Sequence, residues 1–268
     1  MTPFSPLPCA YCDRILPLAN SHVVPDFIYE GVIPEGGNAA LKFEATADRS
    51  FAAAARTGVY EPLLCRECEC EFNARFETPF APAWRRIASR TSGDGISLER
   101  NQTTSGCAWR ILGLDYRVVR LFLLSVLWRC HVARRPEFQN VALETAKATR
   151  IRELLRAGDP GADLDFATVI QFGEPQLRAV VCPLIYYEGG RRFVWFHWMG
   201  TEILIFLDLP VPGSTSEAYR LQPDRELVVL ENQFLSLEAF RRAKETVDNI
   251  HVSKGLEALV NRGLERKE

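Results

Sequence analysis

The sequence predicts an α+β protein, with a zinc-stapled N-terminal module followed by a helical and antiparallel β-meander domain. Three observations carry this expectation. Two Cys-x-x-Cys pairs, Cys9/Cys12 and Cys65/Cys68, lie far apart in the chain. An almost wholly apolar helical run, "VVRLFLLSVLW", fills 118–128. Further on, β-branched and aromatic segments alternate with turn signals over about 165–209.

The chain has 268 residues and is 47% hydrophobic, enough for one large domain or two smaller ones. Its longest apolar run is about half of what a membrane span needs, and Arg117, Arg120 and Arg129 flank or interrupt it. No basic segment leading into an apolar one opens the chain, so a cytoplasmic protein without membrane association is expected. In a reducing compartment, paired cysteines point to metal rather than disulfides. The net charge of −2 argues against a broad electrostatic grip on nucleic acid. Charge is uneven, however. Residues 84–135 hold ten arginines against Asp94, Glu99 and Asp115. That stretch, with Arg85, Arg86 and Arg90 at its start, suits phosphate contacts; alternatively its arginines solvate helix faces and pair internally.

In order along the chain, residues 1–30 read as a cysteine knuckle, a short strand and a turn. Residues 31–59, rich in Gly, Ala and polar residues, read as an insertion with a short helix near 50–56. A helix is expected over 66–90, ended or kinked by Pro79 and Pro82. This completes a module over 1–90. Residues 91–106, "TSGDGISLERNQTTSG", read as a linker with an edge strand at 95–98. An α+β domain is expected over 107–268. It opens on a helix at 116–131, apolar almost all round and therefore a buried spine. A second helix follows to the stop at "GDPG". Then "FATVIQF", "LRAVVCPLIYY", "RRFVWFHWM" and "TEILIFLDL" predict a four-stranded meander over about 165–209. A C-terminal helix at about 236–247 closes the domain.

Each Cys-x-x-Cys turn aims two thiolates at one point, and two such turns complete a tetrahedral sulfur site for Zn²⁺ at Cys9, Cys12, Cys65 and Cys68. Cys70 is a spare that could replace Cys68. A closed four-sulfur site leaves no position for water, so this zinc is structural and any chemistry lies elsewhere. Its loss is expected to unfold mainly residues 1–80. Cys107, Cys130 and Cys182 sit singly on apolar segments and read as core residues.

Between the pairs stands "SHVVP" at 21–25, and "LLCRECE" at 63–69 begins the next helix. Together with "CAYC", these stretches resemble the HNH endonuclease family over residues 7–80. The resemblance implies a treble-clef-like ββα-metal core with two zinc knuckles. It implies that His22 is the base that activates water against a phosphodiester. It also implies a catalytic Mg²⁺ or Mn²⁺, held in part from the helix after the second knuckle. Glu69, Asn73 and Glu77 are spaced to share one helix face, and Asn73 and Glu77 are the candidate metal or phosphate contacts. The sequence departs from the family in having Ser21 where an aspartate is usual, and no asparagine before Cys65. A structural histidine, bonded to the backbone beside the zinc, is the competing reading of His22. His131 and His197 read as core or interface residues, and His251 lies in the tail.

Two main functions follow as expectations, beside a third, a sensor whose β-meander binds a ligand. One is a metal-dependent HNH-like endonuclease acting on DNA, in a setting such as bacterial defence or mobile elements. The alternative is a non-catalytic zinc module with a decayed nuclease site, binding nucleic acid or, through 107–268, a protein partner. Phosphate-binding glycine loops and Gly-x-Ser-x-Gly elbows are absent from the sequence.

Overall fold

The structure is a computed structural model describing residues 7–30, 40–45, 50–55, 58–103, 106–173 and 180–231. It mixes helices with a sheet that is mostly antiparallel. Strand β1 (Leu18–His22) pairs antiparallel with β4 (Tyr60–Cys65), which places His22 opposite Tyr60. Between them, the backbone forms a hairpin of β2 (Ala40–Ala45) and β3 (Ser50–Ala55). This corrects the short helix expected near 50–56. The run "SFAAAA" has helical propensity, but pairing overrides it: β2 docks onto the large sheet through Phe43 and Val181.

One helical rod follows β4. It comprises α1 (Arg66–Phe72), a π-helical turn (Asn73–Glu77) and α2 (Thr78–Ser89). Pro79 falls in the first turn of α2, where a missing N–H is tolerated, and the rod continues past Pro82. The expected break is thus absorbed by a π turn. Phe80, Ala83, Trp84 and Ile87 repeat at helical spacing and are buried.

Residues 91–106, expected as a linker, instead carry β5 (Ser97–Thr103), which pairs along its length with β6 (Gly106–Leu112) at one edge of the sheet. Gly113 permits the turn beyond β6, with φ +80° and no room for a Cβ beside the Gly95 carbonyl. The spine helix, α3 (Tyr116–Val132), is capped by the Asp115 carboxylate, which accepts from Val118 N at 3.2 Å. Every residue from Val119 to Cys130 is buried. α4 (Thr145–Ala157) packs on α3 and ends at Gly158, φ +64°.

The four expected strands are β7 (Thr168–Phe172), β8 (Val180–Glu188), β9 (Arg191–Trp198) and β10 (Thr201–Phe206). Their spatial order is β8-β9-β10-β7. β7 therefore pairs with β10 rather than β8, a Greek-key arrangement in place of the expected meander. A short helix, α5 (Thr215–Ala218), precedes β11 (Leu227–Glu231), which bridges β7 to β6. Among the described residues the large sheet has nine strands, in the order β3-β2-β8-β9-β10-β7-β11-β6-β5. The expected C-terminal helix and His251 lie outside the described residues.

The core is continuous from the first cysteine pair to the sheet. Tyr11 meets Phe72 and Trp128, with ring centroids 4.9 and 5.6 Å apart. Phe122 stacks on Phe80 at 4.0 Å and contacts Trp198 at 6.2 Å. Leu124 lies at the centre of α3 and is fully buried. Leu124→Ala is expected to destabilise the protein by roughly 2–5 kcal/mol, since a packed site collapses only in part around a deleted side chain. A denaturant titration checks this, and a loss below about 0.5 kcal/mol would place α3 at the surface. Among the described residues, no helix is long and apolar enough to cross a membrane.

Candidate metal centre and histidine site

Cys9, Cys12, Cys65 and Cys68 converge, with their sulfurs within 4.8 Å of one another. The Cys12–Cys65 separation is 3.8 Å. A zinc tetrahedron with bonds of about 2.3 Å has edges of about 3.8 Å, so the cluster fits such a structural metal. Local backbone geometry explains the convergence. Asp13 N donates to Cys9 O at 2.9 Å, and Asp13 takes a left-handed conformation, φ 62°, that closes the turn. Aspartate tolerates that conformation better than most residues. On the other side, β4 delivers Cys65 and the first turn of α1 delivers Cys68. Cys65 N donates to Cys9 Sγ at 3.2 Å, the backbone support expected around a thiolate. Cys70 is exposed and outside the cluster. Cys130 is buried as expected, whereas Cys107 is only half-buried and bonds Gln102 and Arg100. The side chain of Cys182 is outside the described residues.

His22 ends β1 beside this centre, with a quarter of its side chain exposed. Its Nε2 lies 2.9 Å from Asp26 Oδ2 and 3.0 Å from the Tyr60 hydroxyl. Its Nδ1 lies 3.9 Å from Glu69 Oε1. Asp26 is positioned by the turn after Pro25, which begins a 3₁₀ helix (Asp26–Tyr29). Tyr60 is placed by register and also donates to Asp26. Burial alone would lower the His22 pKa, but the facing Glu69 and Asp26 carboxylates outweigh it, and the pKa rises above the ordinary value. For Asp26, burial opposes ionisation, yet bonds from Tyr60 and His22 bring its pKa below the usual range. Glu69 behaves alike: burial is overcome by His22, Ser21 and the Arg129 charge. Burial and the bond to Asp26 push Tyr60 up to about 12.

The helix face differs from the expected one. Glu69 reaches His22. Asn73 is exposed, and its Oδ1 accepts from Thr78 Oγ1 at 2.7 Å. Glu77 is buried against Arg129, Oε1 to Nη1 2.6 Å. Asn73 is still on an α turn, its N–H donating to Glu69 O, and its side chain is taken by Thr78; beyond it a π turn displaces Glu77. This turn places Thr78 N on Asn73 O, an i→i+5 bond, and the extra residue breaks a face drawn at spacings of four. Arg129 Nη1 also donates to the His22 carbonyl at 3.0 Å, so Glu77 touches the site only through α3. Ser21 is fully buried, and its hydroxyl accepts from Leu64 N at 3.3 Å. Among the described residues, the four cysteines are the one group of three or more His, Cys, Asp or Glu side chains close enough to share a metal ion. Glu77 belongs to no such group, and Asn73 is bonded to Thr78.

The three candidate phosphate contacts are engaged within the fold. Arg85 pairs with Glu30 at 3.1 Å and Arg86 with Asp94 at 3.0 Å. Arg90 donates to the Gly173 and Gly200 carbonyls and lies over the Phe172 ring. Much of the basic segment follows this pattern: Arg100 with Glu231, Arg110 with Glu226, Arg134 with Glu61. Internal pairing, one of the two readings of that segment, describes them. His131 accepts from Leu143 N at 3.0 Å and is satisfied where it stands. His197 is fully buried in the sheet.

Asp26, Tyr60 and Arg129 are the site residues that sequence reasoning passed over. Asp26 had a signal, since it stands four residues beyond His22 across a proline turn. Tyr60 and Arg129 reach the site only through strand register and tertiary packing. Comparison of this chain with protein families, with curated proteins and with solved structures finds no match.

Proposed function

We propose that this chain is a zinc-stapled HNH-like endonuclease whose His22 serves as general base in hydrolysing a phosphodiester of DNA. The observation that carries the reading is the placement of His22 between two carboxylates, with Asp26 on Nε2 at 2.9 Å and Glu69 facing Nδ1 at 3.9 Å. The β1–β4 pair followed by a helix, with cysteines at both ends, supports a treble-clef-like ββα core. Asp26 holds the Nε2 proton and so directs the Nδ1 lone pair toward the Glu69 side. A water placed there gives its proton to His22 as its oxygen attacks phosphorus. The bond to the leaving oxygen breaks, and that oxygen takes a proton from solvent. The Mg²⁺ or Mn²⁺ that the resemblance implies would supply charge neutralisation at the phosphate, but no step is assigned to it. Arg85, more than half exposed and held by one surface ion pair, is the best placed of the three arginines to exchange its partner for a phosphate.

A second reading is favoured by the engagement of Glu77 with Arg129 and of Asn73 with Thr78. In it, the module is non-catalytic and binds nucleic acid or a protein partner with a decayed site. The two readings separate in a cleavage assay on plasmid and single-stranded DNA, with and without Mg²⁺ or Mn²⁺. The nuclease reading expects wild-type cleavage and a loss of about tenfold or more in Glu69→Gln, at unchanged zinc content. Absence of wild-type cleavage on every substrate would favour the binding module.

A further inference from the structure

The large sheet has a second buried face, remote from α3. Alternation along β9 sends Phe196 and Trp198 into the core shared with α3, and Phe193 and Trp195 to the other side. There Val169, Phe193, Trp195, Leu204 and Phe206 form a separate apolar cluster. Against it lies a cavity of about 360 Å³, whose lining includes Gln171, Glu188, Phe193, Leu204, Ser216 and Tyr219. That volume falls within the range of small-ligand pockets, roughly 300–1,000 Å³.

Some of the polar groups in this wall are held in place by bonds. Gln171 donates its amide to Glu202 Oε2 at 2.7 Å, and Glu202 is fully buried. Ser216, 7% exposed, donates to Glu188 Oε1 at 3.0 Å. That bond orients the Glu188 carboxylate. A carboxylate set in a partly apolar wall favours a cationic ligand there. Phe193 and Tyr219 add aromatic rings to the lining.

We propose that this cavity binds a small protonated amine with a short apolar body, the ammonium meeting the Glu188 carboxylate. A neutral analogue forfeits the charge-assisted bond, and an anion is repelled by Glu188 and Glu202. This site lies on a different sheet face from the one α3 covers and is independent of the nuclease reading.

The test is calorimetric titration of the full chain with phenethylamine, phenethyl alcohol and phenylacetate. Wild type is expected to bind the amine at least about tenfold more tightly than the alcohol, with phenylacetate weakest. Glu188→Gln keeps the shape and an acceptor for Ser216 but removes the charge, and it is expected to erase the preference for the amine. Thermal melting confirms that the variant is folded; if it is not, the wild-type comparison of amine with alcohol decides alone. Equal binding of amine and alcohol by wild type, or no amine binding up to about 10 mM, overturns the proposal. So does an unchanged preference in a folded Glu188→Gln.

Discussion

Stripping the metal from the four-cysteine centre, with a chelator or by Cys68→Ser, is expected to unfold the α3 half together with the knuckles. The sequence alone suggested that such damage stays within residues 1–80. The structure gives the reason for a wider effect. Tyr11 stands between Cys9 and Cys12 of the cluster, and its ring packs against Phe72 and Trp128. Arg156 of α4 donates to the Tyr11 carbonyl and lies over its ring, while Arg152 pairs with Asp13 at 3.0 Å. The knuckle is thus a wall of the common core rather than an appendage to it. Structural zinc contributes roughly 10–16 kcal/mol in small zinc modules, comparable to the whole stability of a typical domain, about 5–15 kcal/mol. Wild type should carry one zinc per chain by elemental analysis and melt in a single transition seen alike by far-UV circular dichroism and tryptophan fluorescence. The stripped protein should lose both signals together. A second half that melts unchanged after metal loss, or a folded protein without metal, would contradict this.

What local sequence signals can encode was read from them, and what depends on remote partners was not. Cysteine spacing located the metal cluster because each turn needs only its own four residues. α3 was legible because its apolar residues surround the axis, and its observed end differs by one residue. The strands from β7 to β10 were found but their order was not, since nothing in "FATVIQF" states that β7 pairs with β10 across the chain. β5 read as linker because "SLERNQT" is polar at nearly every position, as an exposed edge strand can be. The helix face at the histidine site failed for a geometric reason. A spacing of four holds for an α-helix and is kept from Glu69 to Asn73, but the π turn breaks the step from Asn73 to Glu77. Glu69, before that turn, remained on the expected side. Arg129 appeared in the sequence only as an interruption of an apolar run; its partner Glu77 lies 52 residues away.

The central functional claim is that His22 takes the proton of an attacking water, and the direct measurement is the cleavage rate of His22→Ala beside wild type. Both proteins are assayed on the same plasmid and single-stranded substrates, with zinc content and melting determined in parallel. His22 is partly exposed and supplies no zinc ligand, so its truncation should leave the metal and the fold in place. The account predicts wild-type cleavage and a fall of about 10²–10⁴-fold in His22→Ala, the loss typical of a missing general base. Equal cleavage by the two proteins would contradict it.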